Sequence, residues 1–242
     1  PRFSICLLPL WVDSRHLPNQ HPRPPSPIFF APVDKKHDRS YSEPMGKGED
    51  TRSLILEAAL AQASEAGFES LTIGTLATRT GLSKSGLFAH FGSREELQIA
   101  AIDAAAELFS ETVFAPALKA ERGLPRVRSI FTHWMRWTKD SGLAHGCPLH
   151  AAEIEFDDKP GPIRDRLVAH SNRLQLNLER ALTQAVEAGQ LRTDLDIPQI
   201  AFEALGIVFA YYHAARLLQR PDATTRAQAA FDRLLAAASP AA

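Results

Sequence analysis

Two groups of residues have types and spacings that could do chemistry. The first lies in SKSGLFAH at 83–90, where Lys84, Ser85, Gly86 and His90 point outward if Leu82, Leu87 and Phe91 face inward. That leaves one side of a short helix too polar to be core and able to enter a groove of duplex DNA. The second group is His145, Cys147, His150, Glu153 and Glu155, residue types that ligate zinc. Their spacing matches no standard site, and Glu153 is more simply the solvent face of a helix, so no metal is expected. The chain has no Glu-x-x-His pair, no G-x-S-x-G, no P-loop and no dinucleotide fingerprint. No catalytic residue and no cofactor are therefore assigned, and an enzyme is not expected.

The elements that must position the first group are short and sharply punctuated. Thr72 is a good N-cap for a helix over 73–80, because its hydroxyl can accept from an orphan backbone N–H. Gly81 follows at the point where a left-handed residue ends a helix. Ser83 caps the next helix, 84–91, and Ala77 is small enough to let the two helices approach. Upstream, 51–66 carries Leu54, Ile55, Ala58, Ala59 and Ala63 at helical spacing, and Gly67 ends it. Downstream, Ser93 and Glu96 form a capping-box pattern at the head of a long helix over 93–119. This is a helix-turn-helix. An ordinary pair of packed helices with no DNA role has the same outline.

Charge does not separate the two. The 242 residues carry a net charge of −1. Between 45 and 100 there are five basic and seven acidic side chains, an unpromising balance for neutralising phosphates. Placement is more favourable: Arg79, Lys84 and Arg94 flank the second helix, and no acid lies between Ser70 and Ser93. Modest nonspecific affinity for DNA is expected.

A hydrophobic content of 45% is enough for a sizeable core, and no apolar run approaches the length of a membrane span, so a soluble chain with no membrane partner is expected. Cys6 and Cys147 sit far apart in unlike contexts, which points to a reducing, cytoplasmic compartment. Cys147 reads as a small buried residue rather than a redox sensor. Residues 1–44 hold nine of the 17 prolines and cannot form a packed core or a long helix. Pro9 breaks their one apolar run, which argues against a signal peptide. They are expected to be a disordered extension or upstream sequence, with Met45 the natural start.

The capping residues and helix pattern resemble the tetracycline-repressor-like (TetR) family of bacterial regulators. The resemblance covers about 51–100 closely. It rests on Ile55, Ala58 and Ala59, Gly67-Phe68, Thr72-Ile73, Leu76-Ala77, Gly81-Leu82-Ser83-Lys84, Leu87-Phe88, His90-Phe91 and Arg94-Glu95-Glu96-Leu97. A looser resemblance to one branch of the family runs through the C-terminal half. It implies an all-α fold: a three-helix helix-turn-helix head at 45–92, joined by a long helix to a helical ligand-binding and dimerisation bundle at 93–242. It also implies DNA contacts from Thr72, Ser83, Lys84, Ser85, Gly86, Phe88, His90 and Arg94. Phe88 departs from the more usual tyrosine, so a phenolic phosphate contact is lost and an apolar contact with a thymine methyl is possible instead. Arg94 replaces the usual lysine with charge retained.

Beyond the head the chain reads as helices over 125–140, 162–188, 197–219 and 222–238, with a glycine turn entering a short helix at 145–156. EFDDKPGPIRD at 155–165 reads as a turn joining two helices, its acids being the alternative ligand contacts. The stripe Phe131, Trp134, Trp137 reads as core. The resemblance implies a small-molecule pocket in this half, rimmed by Phe109, Trp134, Trp137 and Phe156, with Cys147 and His150 as polar touches, suited to an apolar or aromatic effector. In 197–219, Ile200, Ala204, Val208, Phe209 and Tyr212 form a broad apolar stripe. It is either a homodimer face or the core helix of a monomer. The function implied is a ligand-responsive regulator, a repressor, whose homodimer binds a palindromic operator and is released by its effector. The alternative is a helical small-molecule carrier or sensor without DNA binding.

Overall fold

The computed structural model describes residues 47–143 and 145–240. The expectations for residues 1–44, Cys6 and Met45 lie outside the described residues. Nine helices, and no strand, make up the described chain.

Helix α1 (Lys47–Ala66) ends at Gly67, whose φ of 79° suits glycine, and a tight turn at Phe68–Ser70 leads to α2 (Ile73–Thr80). Thr72 accepts from the Thr75 N–H at 3.0 Å while the Thr75 hydroxyl accepts from the Thr72 N–H at 3.1 Å. The reciprocal capping box thus forms here. Gly81 adopts the left-handed conformation (φ 72°), and Ser83 caps α3 (Lys84–Phe91) by accepting from the Gly86 N–H. Helix α4 (Arg94–Phe109) starts at Ser93, whose hydroxyl accepts from the Glu96 N–H.

The long helix expected over 93–119 is interrupted. After Phe109 the backbone widens into a π-helical turn, Ser110–Phe114, before a last turn at Ala115–Ala117. Pro116 supplies the reason: it has no N–H for the preceding turn and its ring crowds the carbonyl four residues back. Helices α5 (Leu124–Asp140), α6 (Pro148–Phe156) and α7 (Pro162–Glu187) each begin with proline in the first turn, where the missing N–H costs nothing. Helix α8 (Ile197–Tyr212) runs into a second wide turn, His213–Leu217, and α9 (Ala223–Ala238) closes the bundle.

Two apolar clusters hold these helices. One gathers Ile55, Phe68, Leu76, Leu87, Phe91 and Leu97 beneath the helix-turn-helix, and is completed by Ala152, Phe156 and Leu167 from α6 and α7. The other lies among α4 to α9, where Phe131 stacks on Phe231 with ring centroids 3.8 Å apart. Leu87 and Leu76 are fully buried, so each anchors its helix with about 1.5–3 kcal/mol of apolar burial. Helix α4 contributes to both clusters, with Leu97, Ala101 and Ile102 at one end and Ala105 and Phe109 at the other.

Candidate functional site

The outer face of α3 is built by what its inner face does. With Leu87 and Phe91 buried, Ser83, Lys84, Ser85, Gly86 and Phe88 are left exposed and His90 half-buried. Phe88 is 56% exposed, unusual for a phenyl ring with no partner of its own kind. Ser83 Oγ lies 3.2 Å from Ser85 Oγ, so the cap and its neighbour form one hydroxyl pair at the start of the helix. A Cβ at Gly86 would come within 3.1 Å of Ser83 Oγ, so the cap is tight against this glycine. The Lys84 chain passes Gly74 on α2, where an added Cβ would lie 3.8 Å from its Cε. That is ordinary contact, and steric need does not explain Gly74.

The flanking cations are spoken for. Arg79 and Glu65 are joined by two bonds of 2.9 Å, and this pairing holds the Glu65 carboxyl below its usual range. Arg94 donates from Nε to the Leu71 carbonyl at 2.9 Å and from Nη2 to the Glu69 carbonyl. It braces the backbone that leads into α2, a role its position in the sequence does not reveal. Thr72 is half-buried and its hydroxyl is committed to the α2 cap.

Several residues that sequence reasoning passed over position this helix pair. Gln62 Nε2 donates to the Ser70 carbonyl at 2.8 Å and to Thr75 Oγ1 at 3.1 Å. Gln98, buried, donates to the Phe68 carbonyl at 2.7 Å. The Arg52 guanidinium lies 4.6 Å over the Phe91 ring. The signal available was a glutamine in the apolar register of each helix, since a buried amide must find partners.

The C-terminal helices enclose a cavity of about 430 Å³. Its lining combines apolar side chains, Phe109, Trp134, Leu205, Phe209 and Tyr212, with charged and polar ones, Asp103, Glu107, Glu153, Arg166 and His170. Cys147 and His150 also line it. Trp137 does not: it is fully buried, its indole N–H donating to the Tyr212 hydroxyl at 2.9 Å. Phe156 lies in the cluster under the helix-turn-helix instead. Glu153 is half-buried, and its Oε1 accepts from the Ser171 hydroxyl at 2.5 Å beside the cavity.

The electrostatics of the wall follow from burial. His150 stacks on Phe209 and Tyr212, with ring centroids 5.0 and 5.6 Å away. Loss of solvation pulls its pKa below the usual histidine value, with Glu153 opposing the change, so the imidazole is neutral near pH 7. Cys147 Sγ accepts from the His150 N–H at 3.3 Å, and burial pushes the thiol up to about 12. It is a cap, not a nucleophile. Glu155 points away from the cavity and binds the backbone of Phe68 and Glu69, so the five residues with zinc-ligand chemistry do not converge. Among the described residues no group of three could hold a metal ion.

In α8 the apolar stripe divides. Ala204, Val208 and Tyr212 are buried in the protomer's own core and Ile200 is half-buried, whereas Phe202 and Phe209 are 68% and 44% exposed. The outward apolar register of this helix is thus Phe202 and Phe209, not the run through Ala204 and Val208. None of the described helices is long and apolar enough to cross a membrane.

Comparison with known proteins agrees with this architecture. Residues 55–101 match the family of bacterial regulatory proteins of the tetR type, and residues 123–231 match the tetracyclin repressor-like C-terminal domain. The HTH-type transcriptional repressor AcnR of Corynebacterium glutamicum is 29% identical over 152 residues, spanning 62% of this chain and 74% of the repressor. A TetR-family regulator from Cytophaga hutchinsonii superposes with a TM-score of 0.72 at 20% identity, over 82% of this chain and 99% of its own. A TetR regulator from Chloroflexus aurantiacus superposes with a TM-score of 0.70 at 26% identity, over 79% and 96%. The two matched domains, in this order on this all-helical scaffold, place the chain in the TetR family of transcriptional regulators, a non-enzymatic family.

Proposed function

We propose that this regulator is a repressor that binds a palindromic operator as a homodimer and lets go when a small apolar or aromatic molecule fills its cavity. The observation that carries the reading is the outer face of α3: a capped helix presents Ser83, Lys84, Ser85, Gly86 and Phe88 to solvent on a head packed firmly beneath. In this reading the head is 45–92 and the ligand-binding and dimerisation body 93–242. Ser83 and Lys84 meet a phosphate at the helix N-terminus, where backbone N–H groups also point. Ser85 and Gly86 approach base edges, Phe88 packs on a thymine methyl, and His90 completes the phosphate contacts. Thr72 and Arg94 act one step removed, by fixing the entry to α2.

The dimer in this reading forms through the exposed face of α8 at Phe202 with the adjoining face of α9, and it sets two recognition helices about one DNA turn apart. A cavity of about 430 Å³ lies within the range of small-molecule sites. Its ligand acts only through a difference in affinity between the DNA-competent and released conformers. The site of action is the cytoplasm.

The test is a mobility-shift titration of the duplex upstream of the protein's own gene, with the mass of the complex measured by light scattering. Two protomers per site and resistance to competitor DNA support the reading. A protein that binds apolar dyes in its cavity but shifts no duplex is a helical carrier or sensor, the alternative.

A further inference from the structure

The carboxylates that line the cavity differ in what balances them. Asp103 is met by His170 Nε2 at 2.7 Å and by Arg166 Nη1 at 3.7 Å. Glu107 is exposed and stays in contact with solvent. Glu153 is half-buried, its Oε1 accepts from the Ser171 hydroxyl, and among the described residues no lysine or arginine lies within ion-pair distance of it. His150 does not supply the missing charge. Its Nδ1 stands 4.0 Å from Glu153 Oε2, beyond hydrogen-bond length, and burial keeps the ring neutral near pH 7.

His150 also ties this carboxylate to the aromatic part of the lining. Its ring stacks on Phe209 and Tyr212. Phe109 and Trp134, two further lining rings, meet edge to face with centroids 5.5 Å apart. The lining arginines are exposed and already engaged, Arg166 with Asp103 and Arg173 with His170 Nδ1 at 2.9 Å. The cavity thus joins π faces to a carboxylate that has no counter-charge.

Three kinds of occupant fare differently here. A wholly apolar molecule displaces water from Glu153 and leaves its free oxygen unpaired, a heavier penalty for a charged group than for a neutral one. An anion set against the rings adds like charge beside Glu153 and meets the negative faces of the π systems. A cation gives the oxygen a charge-assisted N–H bond and is attracted by those same faces.

We infer that the cavity takes an organic ammonium: an apolar or aromatic body bearing a protonated amine, with the amine donating to Glu153 Oε2 and the body lying along the rings of Phe209 and Trp134. This names the chemical class of the effector in the ligand-responsive reading above and rests on that reading.

The test is calorimetric titration of the full-length protein at neutral pH with three probes that share one ring system: 2-(1-naphthyl)ethylamine, 2-(1-naphthyl)ethanol and 1-naphthylacetate. The amine should bind about tenfold more tightly than the alcohol, the scale on which a charge-assisted bond exceeds a neutral one, and the acid more weakly than either. Glu153→Gln, whose side-chain oxygen can still accept from Ser171, should bring the amine down to the level of the alcohol and leave the alcohol unchanged. Glu107→Gln should keep the preference. The wild-type ranking needs no variant to fold. The inference is overturned if amine and alcohol bind equally, if the acid binds most tightly, if none of the three binds, or if the preference survives Glu153→Gln or is lost in Glu107→Gln. No duplex enters this titration. A protein that prefers the amine but shifts no duplex contradicts the regulator reading alone, and one that binds duplex but shows no preference contradicts this inference alone.

Discussion

The indole N–H of Trp137 donates to the Tyr212 hydroxyl at 2.9 Å, both side chains being buried. This bond ties α5 to α8 directly behind the cavity wall. Burial also raises the Tyr212 pKa well above the ordinary phenol value, so the hydroxyl keeps its proton. Tyr212→Phe leaves the indole donor unpaired and should cost about 1–3 kcal/mol of stability. A urea titration checks it: the midpoint should fall with no change of slope.

Glu65 neutralises Arg79 through two 2.9 Å bonds beside α2. Glu65→Gln removes the carboxylate and frees a guanidinium near the DNA-facing side. Nonspecific duplex affinity should rise, and the salt dependence of binding should steepen by up to about one counterion per head. A titration at several salt concentrations reads both. An unchanged slope would mean that Arg79 does not reach the phosphate backbone.

Gly74 sits inside α2, and an added Cβ would meet its nearest neighbours at 3.7 and 3.8 Å, which is ordinary contact. Gly74→Ala should therefore stabilise the protein by roughly 1 kcal/mol through helix propensity alone. A differential scan would show a higher melting temperature. If DNA binding weakens in the same variant, the glycine serves close approach to the duplex.

The capping residues of the head were legible because their physics is local. Thr72, Gly81 and Ser83 act within three residues of themselves, and the structure finds each in that role. Residues whose partners lie far along the chain were not. Arg94 reads as a surface cation, yet it binds carbonyls 23 and 25 residues upstream. Periodicity marked the apolar stripe of α8 but could not say which part met the protomer's own core, because Val208 and Phe209 are equally apolar and only packing separates them. The resemblance put Phe156 at the pocket rim, whereas packing puts it in the cluster under the helix-turn-helix. The wide turn after Phe109 was readable in principle from Pro116, since proline alone among the residues cannot donate to the preceding turn.

His150 supplies a pH dependence. Its folded-state pKa lies below the ordinary histidine value because burial disfavours the charged form. The unfolded chain therefore binds the proton first as pH falls, and folding loses the stability that neutral His150 provides above that range. Stability should decline as pH drops through the ordinary histidine range toward the lower folded value. His150→Phe should flatten that part of the profile, as thermal melts across the range would show.

The central claim is that the exposed face of α3 reads duplex DNA, and Lys84 tests it most directly because it stands on that face and no core contact depends on it. Fluorescence anisotropy of the labelled upstream duplex, titrated with wild type and Lys84→Ala under identical salt, gives the answer. Wild type should bind in the presence of excess competitor DNA, and Lys84→Ala should bind about tenfold more weakly while melting at the same temperature, in keeping with the loss of one charge-assisted phosphate contact. Equal binding by the two proteins, or binding by neither while both fold and dimerise, would contradict it.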